Sequence, residues 1–319
     1  MKNKSILFIT FDLSGYYDCI TDELKSTFKK VDYENTSKLK YKYTSIFQKI
    51  HSFFYKLFTE KKLKNYYKLQ PIIEKYRSEK YDYILIIRPD IFFDSQLLEF
   101  KKMTPNLIAY YHDSINNIRR KKDVIKFFDK VYSYEKKDVA DFNLNFITNF
   151  IYLNKLIPSV SDFDQDAFTI MSNDYRIKVL KNLAKYLNKK GINSKFLIYN
   201  HKKTNEDDKL LTYIHKRKDN RQVLEYLRKS RIIIDIHKFG IQKGLTFRVF
   251  ESLYLNKKLI TTNTDIKNYD FYNSNNIIII SPEVPITIPD DFFTTPYEKI
   301  PDNIYKKYLY SNWIKEILA

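Results

Sequence analysis

The amino-acid sequence predicts an α/β protein with two lobes, each containing a mostly parallel, doubly wound sheet. Short apolar segments alternate with helical patterns along the chain, and parallel neighbouring strands require such helical crossovers. A polar stretch interrupts the alternation near the middle, and a second series of strands and helices follows it. The length of 319 residues also fits two domains of about 150 residues each.

The first lobe, residues 1–155, begins with a strand followed by a helix. Residues 4–11, KSILFITF, have the pattern of a buried strand, and a helical pattern follows them. The run YDYILIIRPD, residues 81–90, is continuously apolar at its centre, as in parallel strands covered on both faces. Further strands are predicted at 106–112 and 130–134, and helices at 44–77, 96–102, 119–128 and from 135.

The second lobe, residues 156–319, repeats this order. Residues 152–166 are polar and rich in turn formers, so we predict a linker there. The sequence NIYKKYLYSNWIKEILA ends the chain as an amphipathic helix. Strands are predicted at 167–172, 194–200, 231–237, 257–263 and 275–280, and helices at 175–189, at 221–229 and after Thr246.

Composition excludes several classes of protein. The single cysteine, Cys19, excludes an internal disulfide framework and predicts a reducing, cytoplasmic compartment. The apolar run near the amino terminus is short and ends at Asp12. It therefore predicts a strand and not a signal peptide. No stretch reaches 18 apolar residues, so we expect no membrane span. We also expect no metal site, because no cluster has metal-ligand spacing.

The net charge of +18 invites a nucleic-acid interpretation, but both halves of the chain carry the surplus. One segment departs from this background. Residues 35–68 contain nine lysines and a single acid, Glu60, interleaved with aromatic residues. Such a segment suits an anionic membrane surface. The alternative is a helix whose lysines are solvated and whose aromatic side chains pack inward.

The segment QKGLTFRVFESLYLNKKLITTN, residues 242–263, places one of only four glycines before a helix and a strand. Thr246 is the predicted N-cap of that helix. The helix amino terminus after Gly244, together with the side chain of Arg248, has the properties of an anion site suited to a phosphate or pyrophosphate. The alternative is an ordinary turn followed by a structural pair of Arg248 and Glu251.

The two lobes and this glycine-led helix resemble the GT-B glycosyltransferases, whose lobes are Rossmann-like. More narrowly, residues 231–280 are similar to bacterial lipopolysaccharide-core and capsular polysaccharide transferases related to the CgeB group. The resemblance implies that the second lobe holds a nucleotide-sugar donor and the first lobe a glycan or glycolipid acceptor, with no cofactor. It also implies that the terminal helix returns to the first lobe.

Carried over by position, the resemblance assigns donor-binding roles in the second lobe. The backbone of Gly244, Leu245 and Thr246 and the side chain of Arg248 would hold the diphosphate, and Glu251 the ribose hydroxyls. The E-x7-E pattern of many retaining members of the family would need an acid at position 243, where this chain has Lys243. Whether the reaction retains or inverts the anomeric configuration therefore stays open. Lys243 itself is assigned as a phosphate contact. Ser172, Asn173, Arg176 and His237 complete the predicted donor side, although Ser172 and Asn173 are equally typical of a helix cap.

An inverting transferase needs a base, which we seek at the carboxyl ends of first-lobe strands. Asp12, His112 and Asp113 are the catalytic candidates, and Asp90 occupies a similar position. The alternative for Asp113 is a helix cap. On the acceptor side we place Gly15 and Tyr16, where a simple turn is the alternative.

These inferences predict a metal-independent transferase at the inner face of the cytoplasmic membrane that builds lipopolysaccharide or capsule. The alternative from a different class is a nucleic-acid-binding α/β protein without transferase activity, which only the charge supports. A GT-B protein that binds without turnover is a third possibility.

Overall fold

The computed structural model describes residues 1–59, 61–115, 120–153, 162–201 and 208–319. The chain divides into two compact units. Unit 1 comprises Met1–Ile147 and Ile314–Ala319, and unit 2 comprises Thr148–Trp313. The boundary between the lobes predicted from the sequence is at residue 155. Residues 154–161 of the predicted linker lie outside the described part of the chain.

Unit 1 alternates strands and helices as the apolar pattern predicts. Its strands are β1 (Ser5–Thr10), β2 (Lys30–Asn35), β3 (Tyr83–Ile87), β4 (Leu107–Tyr111), β5 (Lys130–Ser133) and β6 (Asn145–Phe146). Its helices are α1 (Asp18–Thr27), α2 (Ile46–Thr59), α3 (Leu63–Tyr76), α4 (Asp94–Met103), α5 (Arg120–Asp123) and α6 (Lys136–Phe142), with 3-10 turns at Pro89–Ile91 and Ile125–Phe127.

The described strands of unit 1 form one parallel sheet in the order β2-β1-β3-β4-β5-β6. All five residues of β3 and of β4 are buried, because helices cover both faces of a doubly wound sheet. β2 was not predicted. It is an edge strand with mixed, half-buried side chains, so it lacks a continuous apolar run. The single helix predicted at 44–77 is two helices, α2 and α3.

Unit 2 has the same architecture. Its strands are β7 (Gln165–Ser172), β8 (Ser194–Tyr199), β9 (Thr212–Ile214), β10 (Ser230–Asp235), β11 (Lys258–Thr261) and β12 (Ile277–Ile279). Its helices are α7 (Ile177–Lys189), α8 (Asn220–Arg228), α9 (Phe247–Leu255), α10 (Asp291–Thr294) and α11 (Asp302–Lys307), with a 3-10 turn at Thr264–Asn268. The last helix, α12 (Tyr310–Leu318), begins in unit 2 and ends in unit 1.

The described strands of unit 2 also form one parallel sheet, in the order β12-β11-β10-β7-β8-β9. Two apolar clusters pack on it. α9 contributes the buried Val249, Phe250 and Leu253 to one, and α7 contributes Leu180 and Leu183 to the other. The helical crossovers thus cover a parallel sheet, as the alternating sequence pattern predicts.

The carboxyl-terminal helix α12 contributes residues to both units. The segment Ile314–Ala319 belongs to unit 1, where the Tyr132 hydroxyl donates to the carbonyl oxygen of Glu316 at 3.2 Å. Ile317 and Leu318 are buried. The prediction that the terminal helix returns to the first lobe is therefore confirmed. None of the described helices is long and apolar enough to span a membrane.

Candidate functional site

The strand order of unit 2 creates a crevice at one edge of its sheet. From β7 the chain proceeds through β8 and β9 on one side, whereas β10, β11 and β12 lie on the other. Ligands of open α/β sheets bind outside the carboxyl ends of the strands at such a switch point. The loops that follow β7 and β10, residues 173–176 and 236–246, border this crevice and contain most of the predicted donor-binding residues.

The loop before α9 is held by two buried asparagines. Asn263 Nδ2 donates to the carbonyl oxygen of Lys243 at 2.8 Å, and Asn149 Nδ2 donates to that of Leu245 at 2.8 Å. A trans peptide unit directs its N–H opposite to its C=O. The N–H groups of Gly244 and Thr246 therefore point away from the two asparagine amides. This geometry fixes the backbone at the positions where an anion site was predicted.

Thr246 is the N-cap of α9, as predicted. Its Oγ1 accepts from the backbone N–H of Arg248 at 3.2 Å and donates to Asp235 Oδ1 at 2.9 Å. Asp235 Oδ2 accepts from the Thr261 hydroxyl at 3.1 Å. Asp235 is thus a buried structural acid that joins the start of α9 to β10 and β11.

Arg248 and Glu251 form a buried ion pair on α9. Arg248 Nη1 lies 2.6 Å from Glu251 Oε2, and the side chain of Glu251 is only 1% exposed. The hydroxyl of Tyr152 donates to Glu251 Oε1 at 2.6 Å. Burial raises the pKa of Glu251, and this effect exceeds the opposite effects of Arg248 and Tyr152. Both carboxylate oxygens have protein partners, and the predicted role of Glu251 toward a ribose stays a prediction.

The loop after β7 is joined to the loop after β10 by Arg176. Its Nη1 donates to the carbonyl oxygen of Ile236 at 2.8 Å, and its Nε and Nη2 donate to the carboxylate of Asp174 at 2.9 and 2.7 Å. Burial alone would raise the pKa of Asp174, but the hydrogen bonds from Arg176 outweigh it and lower the pKa. Arg176 therefore lies at the crevice in a fixed orientation.

The other predicted donor-binding residues of unit 2 differ in their environments. Ser172 and Asn173 are exposed at the end of β7. Their interpretation as helix caps is wrong, because Arg176 occupies the N-cap position of α7. His237 is buried, and its Nδ1 lies 2.7 Å from the Thr262 hydroxyl oxygen. Lys243 is exposed beside Gly244.

In unit 1 the switch point lies between β1 and β3, because β2 lies beyond β1 and the later strands lie beyond β3. Asp12 follows β1 and organises the loop there. Its Oδ1 accepts from the N–H groups of Ser14 and Gly15 at 2.9 and 2.8 Å, and its Oδ2 accepts from that of Tyr17 at 2.9 Å.

Gly15 meets a steric requirement in this loop. Its φ is +79°, and a Cβ atom there would lie 3.1 Å from Asp18 Oδ2. Glycine adopts this left-handed conformation at little cost. Tyr16 follows it and is half-buried. Their assignment to an acceptor side stays a prediction.

The carboxyl ends of β3 and β4 carry the remaining candidates. His112 is half-buried, and its Nδ1 lies 3.2 Å from the Tyr17 hydroxyl, so it joins the loop after β1. Arg88 adopts the left-handed conformation, with φ 65° and ψ 58°, which is uncommon for a residue with a Cβ. Its guanidinium donates to both carboxylate oxygens of Asp90 at 3.0 and 2.9 Å.

Asp113 belongs to the same group of charges. Burial alone would lower the pKa of Arg88, but the carboxylates of Asp90 and Asp113 raise it above its ordinary value. The structure thus brings Asp12, His112 and Asp113 to one edge of the unit 1 sheet. Residues 116–119 after Asp113 lie outside the described part. The catalytic roles of these residues stay predictions.

No group of three or more His, Cys, Asp or Glu side chains in the described ranges is arranged to hold a metal ion. The two edges contain backbone N–H groups, guanidinium groups, carboxylates and the imidazoles of His112 and His237. At the unit 2 edge these groups suit an anion, because the loop N–H groups, the amino terminus of α9 and Arg248 are all donors.

Comparisons with known proteins bear on the fold. No protein-family model matches the chain, and no curated protein matches its sequence. Solved structures match over nearly the whole length. The apo structure of OtsA has a TM-score of 0.58 at 10% identity, with 99% of each chain covered. An alpha-glucosyltransferase in complex with UDP and a DNA containing an HMU base has a TM-score of 0.56 at 10% identity, with 99% of this chain and 95% of that chain covered.

The apo form of the lipopolysaccharide outer core galactosyltransferase WaaB has a TM-score of 0.54 at 10% identity, with 98% of each chain covered. The chain has the GT-B fold. Its two units are the Rossmann-like lobes predicted from the sequence, each with a parallel sheet. The narrower resemblance to the CgeB-related proteins stays a prediction.

Several residues of the candidate site were not predicted, among them Asn149, Tyr152, Thr262 and Asn263. Asn263 carried a usable signal, because it follows the apolar run of β11 at its carboxyl end. Asn149 and Tyr152 carried none, since they lie 96 and 99 residues before their partners. Thr262, which contacts His237, carried no signal either, because nothing in the sequence distinguishes it from Thr261 beside it.

Proposed function

We propose that the protein is a glycosyltransferase that moves a sugar from a nucleotide-sugar donor to a cell-surface glycan or glycolipid. One observation supports this most directly. The loop of residues 243–246 lies at the switch point of unit 2, and Asn149 and Asn263 hold two of its carbonyl groups. Its Gly244 and Thr246 N–H groups lead into the amino terminus of α9, next to Arg248. Such an array is suited to a diphosphate.

The chemistry follows from where charge develops. As the sugar leaves, negative charge grows on the nucleoside diphosphate, and preorganised donors there stabilise the transition state. We assign this to the loop N–H groups and Arg248, with Lys243 as a further phosphate contact, and we propose a metal-independent reaction on that basis. Tyr152 and Glu251 hold the guanidinium of Arg248 in place.

On the acceptor side we assign proton acceptance to His112 or Asp113. The pKa of a histidine lies near neutrality, which suits general-base catalysis. The acceptor hydroxyl loses its proton as it bonds to the anomeric carbon, and the bond from that carbon to the diphosphate oxygen breaks. We propose lipopolysaccharide or capsule assembly, at the inner face of the cytoplasmic membrane, as the pathway served.

A thermal-shift panel tests the donor site. UDP, GDP, CMP, dTDP and their sugars are compared with single- and double-stranded DNA and RNA. A ligand at about 100 times its Kd adds about 2.7 kcal/mol to the free energy of unfolding. We expect one nucleotide to raise the Tm, and Arg248→Lys to reduce that rise, because lysine lacks the planar guanidinium.

Arg228→Lys is the matched control, since Arg228 pairs with Glu225 on the surface of α8 and should leave the ligand-induced shift unchanged. A Tm rise with nucleic acid and none with any nucleotide would support the alternative, a nucleic-acid-binding protein. Equal shifts in wild type and Arg248→Lys would remove Arg248 from the donor site.

A further inference from the structure

Helix α2 carries a broad apolar face that points into solvent. Its apolar side chains recur at a spacing that places them on one side of the helix. Their exposed fractions range from 48% for Ile50 to 84% for Phe47. The residues of this face are Ile46, Phe47, Ile50, Phe53, Phe54, Leu57 and Phe58.

The opposite side of α2 is the side that packs on unit 1, and it is polar. Gln48 Oε1 accepts from the Tyr41 hydroxyl and from the Thr44 N–H, both at 2.9 Å. Ser52 is buried, and the Tyr55 ring lies 6.4 Å from that of Phe93. The expectation that the aromatic side chains of this helix pack inward is therefore wrong for its phenylalanines.

An exposed face of this kind marks an interaction surface, because soluble proteins seldom leave large contiguous apolar patches in water. The surrounding charge identifies the partner. Lys49 and Lys56 lie on α2 itself, and further exposed lysines flank it. The exposed lysines of this segment are Lys38, Lys40, Lys42, Lys49, Lys56, Lys62 and Lys64.

We propose that α2 lies in the surface of an anionic membrane, with its apolar face among the acyl chains and the lysines on lipid phosphates. An apolar helix face bordered by lysines matches the chemistry of that interface. A second copy of the chain fits less well, since two such lysine-rich surfaces would repel each other.

The position of α2 gives this docking a consequence for the site. The segment that leads to α2 is tied to the carboxyl edge of the unit 1 sheet, where Ser37 Oγ donates to the Asp12 carbonyl oxygen at 2.6 Å. After α2, Lys61 Nζ lies 3.4 Å from Asp94. The membrane would thus lie beside the edge that carries Asp12 and His112. This step rests on the proposed function and implies a lipid-linked acceptor.

Vesicle co-sedimentation without any donor tests the docking itself. We expect the full-length protein to bind phosphatidylglycerol vesicles and to bind phosphatidylcholine vesicles at least about tenfold more weakly. Phe47→Ser with Phe58→Ser should weaken binding to phosphatidylglycerol by at least about tenfold, because each large apolar side chain contributes substantially when buried. Both side chains are more than 80% exposed, so folding should be unaffected.

Lys49→Gln with Lys56→Gln should also weaken binding about tenfold, and high salt should abolish that difference because it screens the charges. Leu98→Ser is the matched control, since Leu98 is an exposed apolar residue of α4 outside the face, and it should bind as wild type does.

Three results would overturn the docking proposal: no binding to phosphatidylglycerol, binding that survives the double phenylalanine change, or a lipid-free dimer that this change converts to monomer. The donor thermal shift is measured without vesicles, so a failure of docking and a failure of the transferase assignment are distinguishable. If docking holds, water-soluble and lipid-linked acceptors are compared on those vesicles, and equal turnover would refute the lipid-linked acceptor.

Discussion

The hydroxyl of Tyr152 is the most informative single group to remove. Tyr152→Phe deletes one oxygen atom and leaves Glu251, 1% exposed, with Arg248 as its remaining charged partner. The lost hydrogen bond is 2.6 Å long and has a carboxylate as acceptor. Hydrogen bonds to charged groups contribute about 1.5 to 3 kcal/mol. We therefore expect Tyr152→Phe to lower the free energy of unfolding by about 2 kcal/mol at pH 7.5.

Tyr297→Phe is the matched control. The Tyr297 hydroxyl is buried and has no hydrogen-bond partner among the described residues. Removing it takes away a polar group without breaking a bond, so the free energy of unfolding should change by less than about 0.5 kcal/mol or should increase.

Urea unfolding measures the difference in the free energy of unfolding between the two variants. Trp313 is the only tryptophan, and its ring lies 4.7 Å from that of Phe150 in unit 2. With a slope of about 2 kcal/mol per molar urea, Tyr152→Phe should move the midpoint down by about 1 M. Equal midpoints for the two variants would refute the assignment of Tyr152 as the partner that stabilises Glu251.

The pH dependence of the same variant has a definite sign. The folded-state pKa of Glu251 is raised above 4.5, chiefly by burial. Its charge therefore costs stability at pH values above the folded-state pKa, and this cost disappears as the pH falls toward 4.5. Because the Tyr152 hydrogen bond lowers this pKa, Tyr152→Phe raises it further. The destabilisation by Tyr152→Phe should thus shrink as the pH falls, and a constant difference would contradict this explanation.

Two further predictions concern neighbouring parts of unit 2. Asn263→Ala removes the donor that orients the Lys243 carbonyl and its loop. The loop should then leave the binding geometry, because keeping a buried carbonyl there without its donor costs about 1 to 3 kcal/mol. Nucleotide binding should weaken by about tenfold or more in titration calorimetry, and unchanged affinity would count against the loop geometry. Burial, with Arg228 and Arg231 nearby, lowers the pKa of Lys257 from 10.5 to about 8. The free energy of unfolding should therefore rise as the pH increases from about 8 to 10.5. Lys257→Met should raise the free energy of unfolding at pH 7 by about 1 to 2 kcal/mol, after allowing for the partial exposure of this side chain. Lys258→Met should destabilise instead, because Lys258 Nζ donates to the Phe292 carbonyl and the Thr295 hydroxyl, both at 2.7 Å, and thermal unfolding at pH 7 and 10 compares the two.

Much of the architecture was predictable because its signals are local. The apolar runs of β1, β3, β4 and β10 and the helical spacing between strands are readable within a few residues, and they predict two doubly wound parallel sheets. The N-cap at Thr246 depends on its neighbours in the chain in the same way. The weakest signal was that of β2, an edge strand whose half-buried side chains mix polar and apolar types.

The amino-acid sequence alone thus predicts the class of fold, most of the strands and helices, and the position of the glycine-led helix. Which side chains meet is set by the folded arrangement of the chain. Tyr152 reaches Glu251 across 99 residues, and Asn149 reaches the Leu245 carbonyl across 96. It also decided that α2 turns its apolar face outward, because helical spacing defines a face but not its direction. Direction and partners depend on how distant segments pack, and a local pattern carries no information about that.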